Sequence, residues 1–246
     1  MLKATRHEEI MRYLQRKQCA NVQEICDEIY ASPATVRRDL RMLESQGLVR
    51  LFYGGVMLAR NDEKDVPLSI REYESKKKKI LIARKAADII PAGARVFLDA
   101  SSTAMYIANY IDVSKDITVF TNGIKTATIL CERNIKTYCI GGMIGRLALV
   151  TTGAFAAQNI SMVNADMAFF SSQGLDKNGA ITDNSEAETQ LRKLMIEHAR
   201  ESYFLCDSAK LGKQFLFTVC NASEVSGVIS DGDLFYLPNV NHIRVQ

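Results

Sequence analysis

Apolar residues recur at helical spacing in three segments near the start of the chain. Ile10, Tyr13 and Leu14 predict an amphipathic helix over residues 5–17. The same spacing predicts a second, short helix and then a third one. Their apolar positions are Val22, Ile25, Cys26, Ile29, Val36, Leu40 and Leu43. Three short amphipathic helices in succession are typical of a small, mainly α-helical domain with one shared core.

The ends of the third helix are marked by residues that favour helix termini. Ser32 is a suitable N-cap, Pro33 suits the first helical position, and Gly47 suits the end of the helix. Residues 48–58 then predict two short strands around a turn at Gly54 and Gly55. A tight turn before a capped third helix, followed by a hairpin, predicts a winged helix-turn-helix.

The polar face of the third helix suits contact with double-stranded DNA. Its small N-terminal residues allow the helix to enter a major groove, where arginine can reach guanine or phosphate. The candidates for DNA contact, with two from the wing, are Ser32, Ala34, Thr35, Arg37, Arg38, Arg41, Arg50 and Tyr53. The alternative is a solvated helix face whose arginines are neutralised by Asp39 and Glu44. The helix-turn-helix context favours DNA binding.

The distribution of charge agrees with a DNA-binding first domain. Residues 1–60 carry ten Lys and Arg against seven Asp and Glu, whereas residues 61–246 carry 21 of each. The whole net charge of +3 therefore lies in the first quarter of the chain. A basic module joined to a neutral one is typical of a protein that binds a polyanion through one domain.

The rest of the chain alternates between apolar strands and amphipathic helices. We predict a winged domain over 1–58, a linker over 59–75 and a second domain over 76–246. The predicted strands are 94–98, 117–120, 137–140, 165–170, 202–206 and 225–229, and the predicted helices between them are 103–111, 123–133, 153–162 and 185–200. This order predicts an α/β, Rossmann-like domain with a largely parallel sheet. The four-lysine run at 76–79 is interpreted as the solvated start of a helix.

Polar and small residues follow several of the predicted strands. In open α/β sheets, ligands bind beyond the carboxyl ends of the strands. The candidate ligand-binding residues at these ends are Asp99, Ser101, Ser102, Thr103, Thr121, Asn122, Gly141, Gly142, Asp207 and Lys210. Asp99 and Asp207 can accept hydrogen bonds from sugar hydroxyls, and Lys210 can pair with a phosphate. Each residue alone also fits a cap, a turn or a loop; together they favour an anion site.

Composition excludes several other classes of protein. Six scattered cysteines without a CxxC pair and three histidines argue against a metal site, and neither common nucleotide-binding glycine motif occurs, so we expect no cofactor. No apolar run is long enough for a membrane helix, and the N-terminus lacks a signal core. A cytoplasmic protein without membrane contact is the expectation.

The run SPATVRRDLRMLESQGLVRLFYGG resembles the N-terminal signature of the DeoR family of bacterial transcription regulators. The matching residues are Ser32, Thr35, Val36, Arg37, Arg38, Asp39, Leu40, Leu43, Gly47, Gly54 and Gly55. Tyr53 stands where the family usually has histidine, and Ala31 where it has valine. We expect Asp39 to orient Arg38 or to form a pair on the helix surface.

The second region is similar to the sensor domain of the same family, which resembles ribose-5-phosphate isomerase in fold. Matching residues include Lys79, Asp99, Ser102, Thr103, Thr121, Asn122, Gly141, Gly142, Glu188, Asp207, Ser208 and Lys210. The resemblance implies a repressor or activator controlled by a phosphorylated sugar, and it adds Glu188 and Arg192 to the candidate effector site. Ser101 replaces a family glycine and Arg192 a family lysine, and Arg binds anions differently from Lys.

Three functions remain open from the sequence. The first is a regulator, expected to be a repressor, that binds operator DNA as a homo-oligomer, because helix-turn-helix modules usually bind two half-sites. The second is a sugar-phosphate isomerase or deaminase with an accessory DNA-binding terminus, although Arg192 is a poor acid at neutral pH. The third is a DNA-binding scaffold whose sensor domain binds no ligand. The sequence favours the regulator.

Overall fold

The computed structural model describes residues 3–17, 19–52, 55–58, 68–145 and 149–246 of the chain. Its internal contacts divide the chain after Glu74 into two compact units. This division lies within one residue of the end of the predicted linker, and the boundaries at 58 and 76 stay our prediction. In the ranges that the structure describes, no helix is both long and apolar enough to cross a membrane.

The N-terminal unit contains the three predicted helices and a small sheet. Its elements are α1 (Lys3–Lys17), β1 (Cys19–Asn21), α2 (Val22–Ile29), α3 (Pro33–Ser45), β2 (Val49–Phe52), β3 (Gly55–Leu58) and α4 (Leu68–Arg71). Ile10, Ile25 and Leu40 belong to one buried cluster to which all three predicted helices contribute. Gly47 has a φ of +70°, as expected for a glycine that ends a helix.

The wing is part of a three-stranded sheet rather than an isolated hairpin. β3 pairs antiparallel with β2, as predicted, and also with β1, so the order is β1-β3-β2. The sequence analysis did not predict β1, because three residues are too few to show a strand period. β1 joins the connection between α1 and α2 to the wing and so fixes the wing against the helices.

The C-terminal unit alternates strands and helices. Its elements are α5 (Lys76–Asp88), β4 (Arg95–Leu98), α6 (Ser102–Ile107), β5 (Thr118–Thr121), α7 (Ile124–Glu132), β6 (Lys136–Cys139), β7 (Met143–Gly145), β8 (Val150–Thr152), α8 (Ala154–Ser161), β9 (Ala165–Phe170), β10 (Gly174–Leu175), β11 (Ala180–Asp183), α9 (Glu186–Glu197), β12 (Ala199–Cys206), β13 (Phe217–Asn221), β14 (Gly227–Ser230) and β15 (His242–Arg244). The six predicted strands are confirmed, although α6 ends four residues earlier than the predicted helix over 103–111.

Seven strands form one sheet in the order β15-β14-β12-β9-β4-β5-β6. Every pair in this sheet is parallel, which confirms the predicted α/β fold. From β4 the chain passes to β5 and β6 on one side, and then crosses to the central strand β9 and on to β12, β14 and β15 on the other. The order of strands therefore reverses between β4 and β9, where ligands bind in folds of this class.

Two smaller antiparallel sheets complete the unit. β7 pairs with β8, and β11 lies between β10 and β13. None of these five strands was predicted, since each has only two to five residues. β11 matters for function because it ends at Asp183, a residue that belongs to the site described next.

Candidate DNA-binding surface and effector site

α3 presents one apolar face to the core and one polar face to solvent. Ser32 Oγ accepts a hydrogen bond from the amide of Thr35, 3.4 Å away, and so caps the first turn. Val36, Leu40 and Leu43 are buried. The exposed positions on the helix include Ala34, Arg37, Arg38 and Arg41, while Thr35 is half-buried. These candidates therefore share one accessible face.

The acidic residues next to these arginines are bound elsewhere. Asp39 is completely buried, and its carboxylate is bonded to Arg6 of α1, with Arg6 Nη2 3.1 Å from Oδ1. Our expectation that Asp39 orients Arg38 is therefore wrong: Asp39 faces the core, whereas Arg38 faces solvent. The hydrogen bond from Arg6 holds the pKa of the Asp39 carboxyl below its usual range, although burial opposes this.

Glu44 is the second acidic residue that could have neutralised the arginines. Its Oε1 accepts a hydrogen bond from the backbone amide of Leu51 in β2 at 2.8 Å. In the part of the chain that the structure describes, Arg37 and Arg38 form neither a hydrogen bond nor an ion pair. The charge of these two arginines is thus available to a polyanion.

The wing contributes one described candidate. Arg50 lies on β2 opposite Met57 of β3, and its side chain is exposed. Tyr53, the other wing candidate, lies outside the described residues. The described candidates on this module are consequently Ser32, Ala34, Thr35, Arg37, Arg38, Arg41 and Arg50.

In the C-terminal unit, Asp99 lies at the point where the strand order reverses. It directly follows β4, and its Oδ2 accepts a hydrogen bond from the amide of Ser171, which follows β9, at 3.3 Å. Its Oδ1 accepts hydrogen bonds from the amide and hydroxyl of Ser101 at 3.1 and 2.5 Å. Ser101 also caps α6. The hydroxyl of Ser101 is therefore bonded within its own loop.

Arg192 of α9 is buried among three carboxylates. Its Nε donates to Asp99 at 2.9 Å, its Nη1 to Asp183 at 2.8 Å, and its Nη2 to Glu188 at 2.7 Å. Burial disfavours the charged guanidinium, but the attraction of the three carboxylates outweighs burial and raises the pKa of Arg192. Lys193 is exposed, so it does not take the place of Arg192.

Two lysines adjoin this cluster. Lys210 Nζ donates to Ser171 Oγ at 2.6 Å and lies 3.9 Å from Asp207 Oδ2. Lys79 of α5 is buried, and its Nζ donates to Ser102 Oγ at 3.0 Å. Interpreting the four-lysine run as a solvated helix start was therefore wrong for Lys79. The lysine lies on the buried face of α5, which turns toward the loop after β4.

The remaining candidates follow β5 and β6. Asn122 Nδ2 donates to the carbonyl of Thr151 at 3.3 Å, and the Thr121 hydroxyl accepts from the amide of Gly123 at 3.1 Å. The Oδ1 atom of Asn122 and the Oγ1 atom of Thr103 are buried without a hydrogen-bond partner among the described residues. Neither oxygen is therefore committed to a partner within the described part of the fold.

Gly141 and Gly142 follow β6, which is an edge strand of the sheet. β6 lies two positions away from β4 in the strand order, and Asp99 directly follows β4. A Cβ atom on Gly142 would lie 2.5 Å from the carbonyl oxygen of Thr152, so only glycine fits there. Its φ of +114° is also a backbone conformation that favours glycine. The contacts of this glycine explain its presence by packing, and they do not connect it to the Asp99–Arg192 cluster.

Two residues of the site, Lys79 and Asp183, were not among our candidates, and each is bonded to a candidate residue. Ser171, which Lys210 contacts, directly follows the predicted strand 165–170, at the kind of position where we expected ligand-binding residues. Asp183 was missed because β11 was not predicted, and Lys79 because lysines are seldom buried. The helical phase of Lys79, three residues before Ile82 and four before Ala83, could have identified it as inward-facing.

Comparison with known proteins shows the same two-part organisation. A family model described as the DeoR C terminal sensor domain matches residues 74–232, and a DeoR-like helix-turn-helix domain model matches residues 6–62. The chain belongs to the DeoR family of transcriptional regulators. As a member of this family it is a DNA-binding transcriptional regulator, which confirms the function favoured by the sequence.

Curated relatives of this DeoR-family chain are similar over nearly their whole length. The HTH-type transcriptional regulator YulB of Bacillus subtilis is 30% identical over 95% of this chain and 91% of its own. The L-fucose operon activator of Haemophilus influenzae is 30% identical over 93% and 92%. The lactose phosphotransferase system repressor of Staphylococcus epidermidis is 28% identical over 95% and 94%.

Among solved structures, similar chains include ribose 5-phosphate isomerase A of Methanocaldococcus jannaschii. That match has a TM-score of 0.40 and 15% identity, and it covers 56% of this chain and 55% of the isomerase. The translation initiation factor eIF-2B of Pyrococcus horikoshii has a TM-score of 0.46 and 13% identity, covering 92% and 84%.

Proposed function

We propose that this regulator is a repressor of a sugar-metabolism operon and that a small phosphorylated sugar sets its affinity for operator DNA. The observation that carries the proposal is the grouping of two lysines and several carboxylates where the strand order reverses between β4 and β9. Two relatives, a lactose phosphotransferase system repressor and an L-fucose operon activator, take their names from sugar systems.

The contacts suggest separate roles for the charged residues. Every nitrogen position of the Arg192 guanidinium is already bonded to a carboxylate, so Arg192 positions Asp99 and Glu188 rather than binding phosphate. Lys210 is held by one serine hydroxyl and lies at the far limit of an ion pair with Asp207. We assign the phosphate to Lys210, sugar hydroxyls to Asp207 and Glu188, and further polar contacts to Thr103 and Asn122. Each carboxylate oxygen of Asp99 already accepts two hydrogen bonds, so we assign Asp99 to holding Ser101, Ser171 and Arg192 in place.

The assignment to Lys210 is tested by a single substitution. A panel of ribose 5-phosphate, glucose 6-phosphate and fructose 6-phosphate is screened by thermal shift and then by anisotropy on operator DNA. In Lys210→Ala the sugar phosphate no longer changes DNA affinity, while binding in its absence is kept. Lys213→Ala removes an exposed lysine nearby and is the matched control. A wild-type response in Lys210→Ala would exclude Lys210 as the phosphate partner.

A ligand-dependent change in DNA affinity also separates the proposed function from the two alternatives. A free-energy coupling of about 1–3 kcal/mol is typical of allosteric regulators. Turnover of any sugar phosphate in the same panel would support an enzyme. Absence of both turnover and thermal shift would support a scaffold whose sensor domain binds no ligand.

We also propose that the chain acts as a homo-oligomer in the cytoplasm. A helix-turn-helix regulator usually binds two half-sites, one per subunit, so two copies must associate. Exposed apolar side chains in the C-terminal unit support this proposal, and they include Met143 and Ile144 of β7, Phe155 of α8, and Met162, which directly follows α8. Sedimentation of the Phe155→Glu variant tests whether this region forms the contact between subunits. Loss of the wild-type oligomer supports self-association through this region, and an unchanged oligomer excludes this region as the contact.

A further inference from the structure

Tyr30 combines two unusual properties in the turn between α2 and α3. Its φ of 51° and ψ of 47° lie in the left-handed region, which is unfavourable for a residue with a bulky side chain. Its side chain is 95% exposed. The other described non-glycine residues with positive φ are Ser75, Asp116, Asn134 and Leu149. Asp and Asn tolerate this conformation, so Tyr30 and Leu149 are the two described cases with a bulky side chain.

The fold does not need a tyrosine at this position. Two hydrogen bonds fix the turn, and both are made by backbone amides, those of Tyr30 and Ala31, to the carbonyl oxygen of Cys26. Glycine or asparagine could make the same bonds with less strain. An exposed ring adds nothing to the core, so the cost of the left-handed tyrosine points to a use outside the fold.

The position of Tyr30 identifies that use. It lies two residues before Ser32, the N-cap of α3, at the end of the helix that enters the major groove. The turn before such a helix runs beside the phosphates that border the groove. We infer that Tyr30 contacts the sugar-phosphate backbone of the operator, with its phenolic O–H donating a hydrogen bond to a phosphate oxygen. Such a contact sets affinity and register but carries no sequence information.

The inference predicts a behaviour that differs from that of the arginines on α3. A neutral donor releases no counterion, so its loss leaves the dependence of binding on salt unchanged. Tyr30→Phe should weaken binding about three- to tenfold. The loss should be the same for a specific and a scrambled duplex. Arg37→Ala, if it loses a phosphate contact, should also make the salt dependence shallower by about one ion.

The experiment uses the full chain and a duplex selected from a random pool with the wild-type protein. Binding of the selected and of a scrambled duplex is measured by anisotropy across a salt series for wild type, Tyr30→Phe and Tyr30→Gly. Tyr138→Phe is the control, since Tyr138 is half exposed and lies in the C-terminal unit. We expect weaker binding in both Tyr30 variants and wild-type binding in Tyr138→Phe.

Stability measurements separate a DNA contact from a structural role. Because Tyr30→Gly relieves the left-handed strain, the melting temperature of the full chain should stay the same or rise while DNA binding falls. Wild-type affinity in both Tyr30 variants would overturn the inference. So would a loss confined to the selected duplex, which indicates a base contact, or a fall in melting temperature that accompanies the loss of binding.

Discussion

Helices α3 and α9 both carry arginine, and neighbouring carboxylates give these arginines opposite roles. On α3, Asp39 turns into the core to Arg6 and Glu44 binds the backbone of the wing, so Arg37 and Arg38 stay exposed and unpaired among the described residues. On α9, Arg192 is buried and bonded to three carboxylates. An arginine binds an external anion only where the fold places the acids elsewhere.

The largest effect is expected on the α9 side of this comparison. Arg192→Ala leaves Asp99, Asp183 and Glu188 buried without their cation, so the free energy of unfolding should fall by about 3–5 kcal/mol. Arg192→Lys keeps the charge but cannot bond three carboxylates at once, so its loss should be smaller. Urea denaturation measures both. An Arg192→Ala protein as stable as wild type would refute the structural role of Arg192.

The buried pair of Asp39 and Arg6 should give the next largest effect. Asp39→Asn removes a charged hydrogen-bond acceptor and should destabilise the protein by about 2 kcal/mol near neutral pH. Because the pKa of Asp39 is lowered in the folded state, this contribution is present above the unfolded value of about 4 and is lost as pH falls through the folded value.

A pH series of denaturation curves tests this sign. The difference in stability between wild type and Asp39→Asn should shrink as the pH falls below about 4. Asp166, whose pKa the side-chain hydrogen bond from Arg95 lowers to about 2, loses its contribution in a similar range in both proteins and cancels in the difference. A difference that is constant from neutral to acidic pH would contradict the account.

On the α3 side, the effect falls on DNA binding rather than on stability. Arg37→Ala and Arg38→Ala should each weaken operator binding by about 1–3 kcal/mol where the arginine contacts a base edge. Stability should change little, because both side chains are exposed and neither is paired within the described residues. Anisotropy measures the affinity, and Lys213→Ala again serves as the control. Unchanged operator affinity in both arginine variants would refute the recognition-helix assignment.

The smallest effect is expected for the cap of α3. Ser32→Ala removes the hydroxyl that accepts the Thr35 amide and should cost about 1 kcal/mol of stability. Ser32→Asp keeps a capping oxygen and should be close to wild type in stability, yet its negative charge should weaken DNA binding. Denaturation and anisotropy on the same samples distinguish the two roles, and equal stability of Ser32→Ala and wild type would contradict the cap.

Much of the fold can be predicted from local sequence, whereas the contacts of Arg192 and Arg6 cannot. Helical spacing and caps predict α1, α2 and α3, and continuous apolar runs predict the strands of the parallel sheet, because these signals are local. The partners of Arg192 cannot be predicted this way, since Asp99 lies 93 residues away and Asp183 ends the unpredicted strand β11. Asp39 was misassigned for the same reason, as Arg6 is 33 residues distant.

The most direct test of the account is a titration of operator DNA with the full chain, with and without each sugar phosphate of the panel. The account predicts tight, salt-dependent binding that one sugar phosphate changes by about 5- to 150-fold. That response should be absent in Lys210→Ala and present in Lys213→Ala. Failure of the wild-type chain to bind any duplex at low or moderate salt would contradict the account.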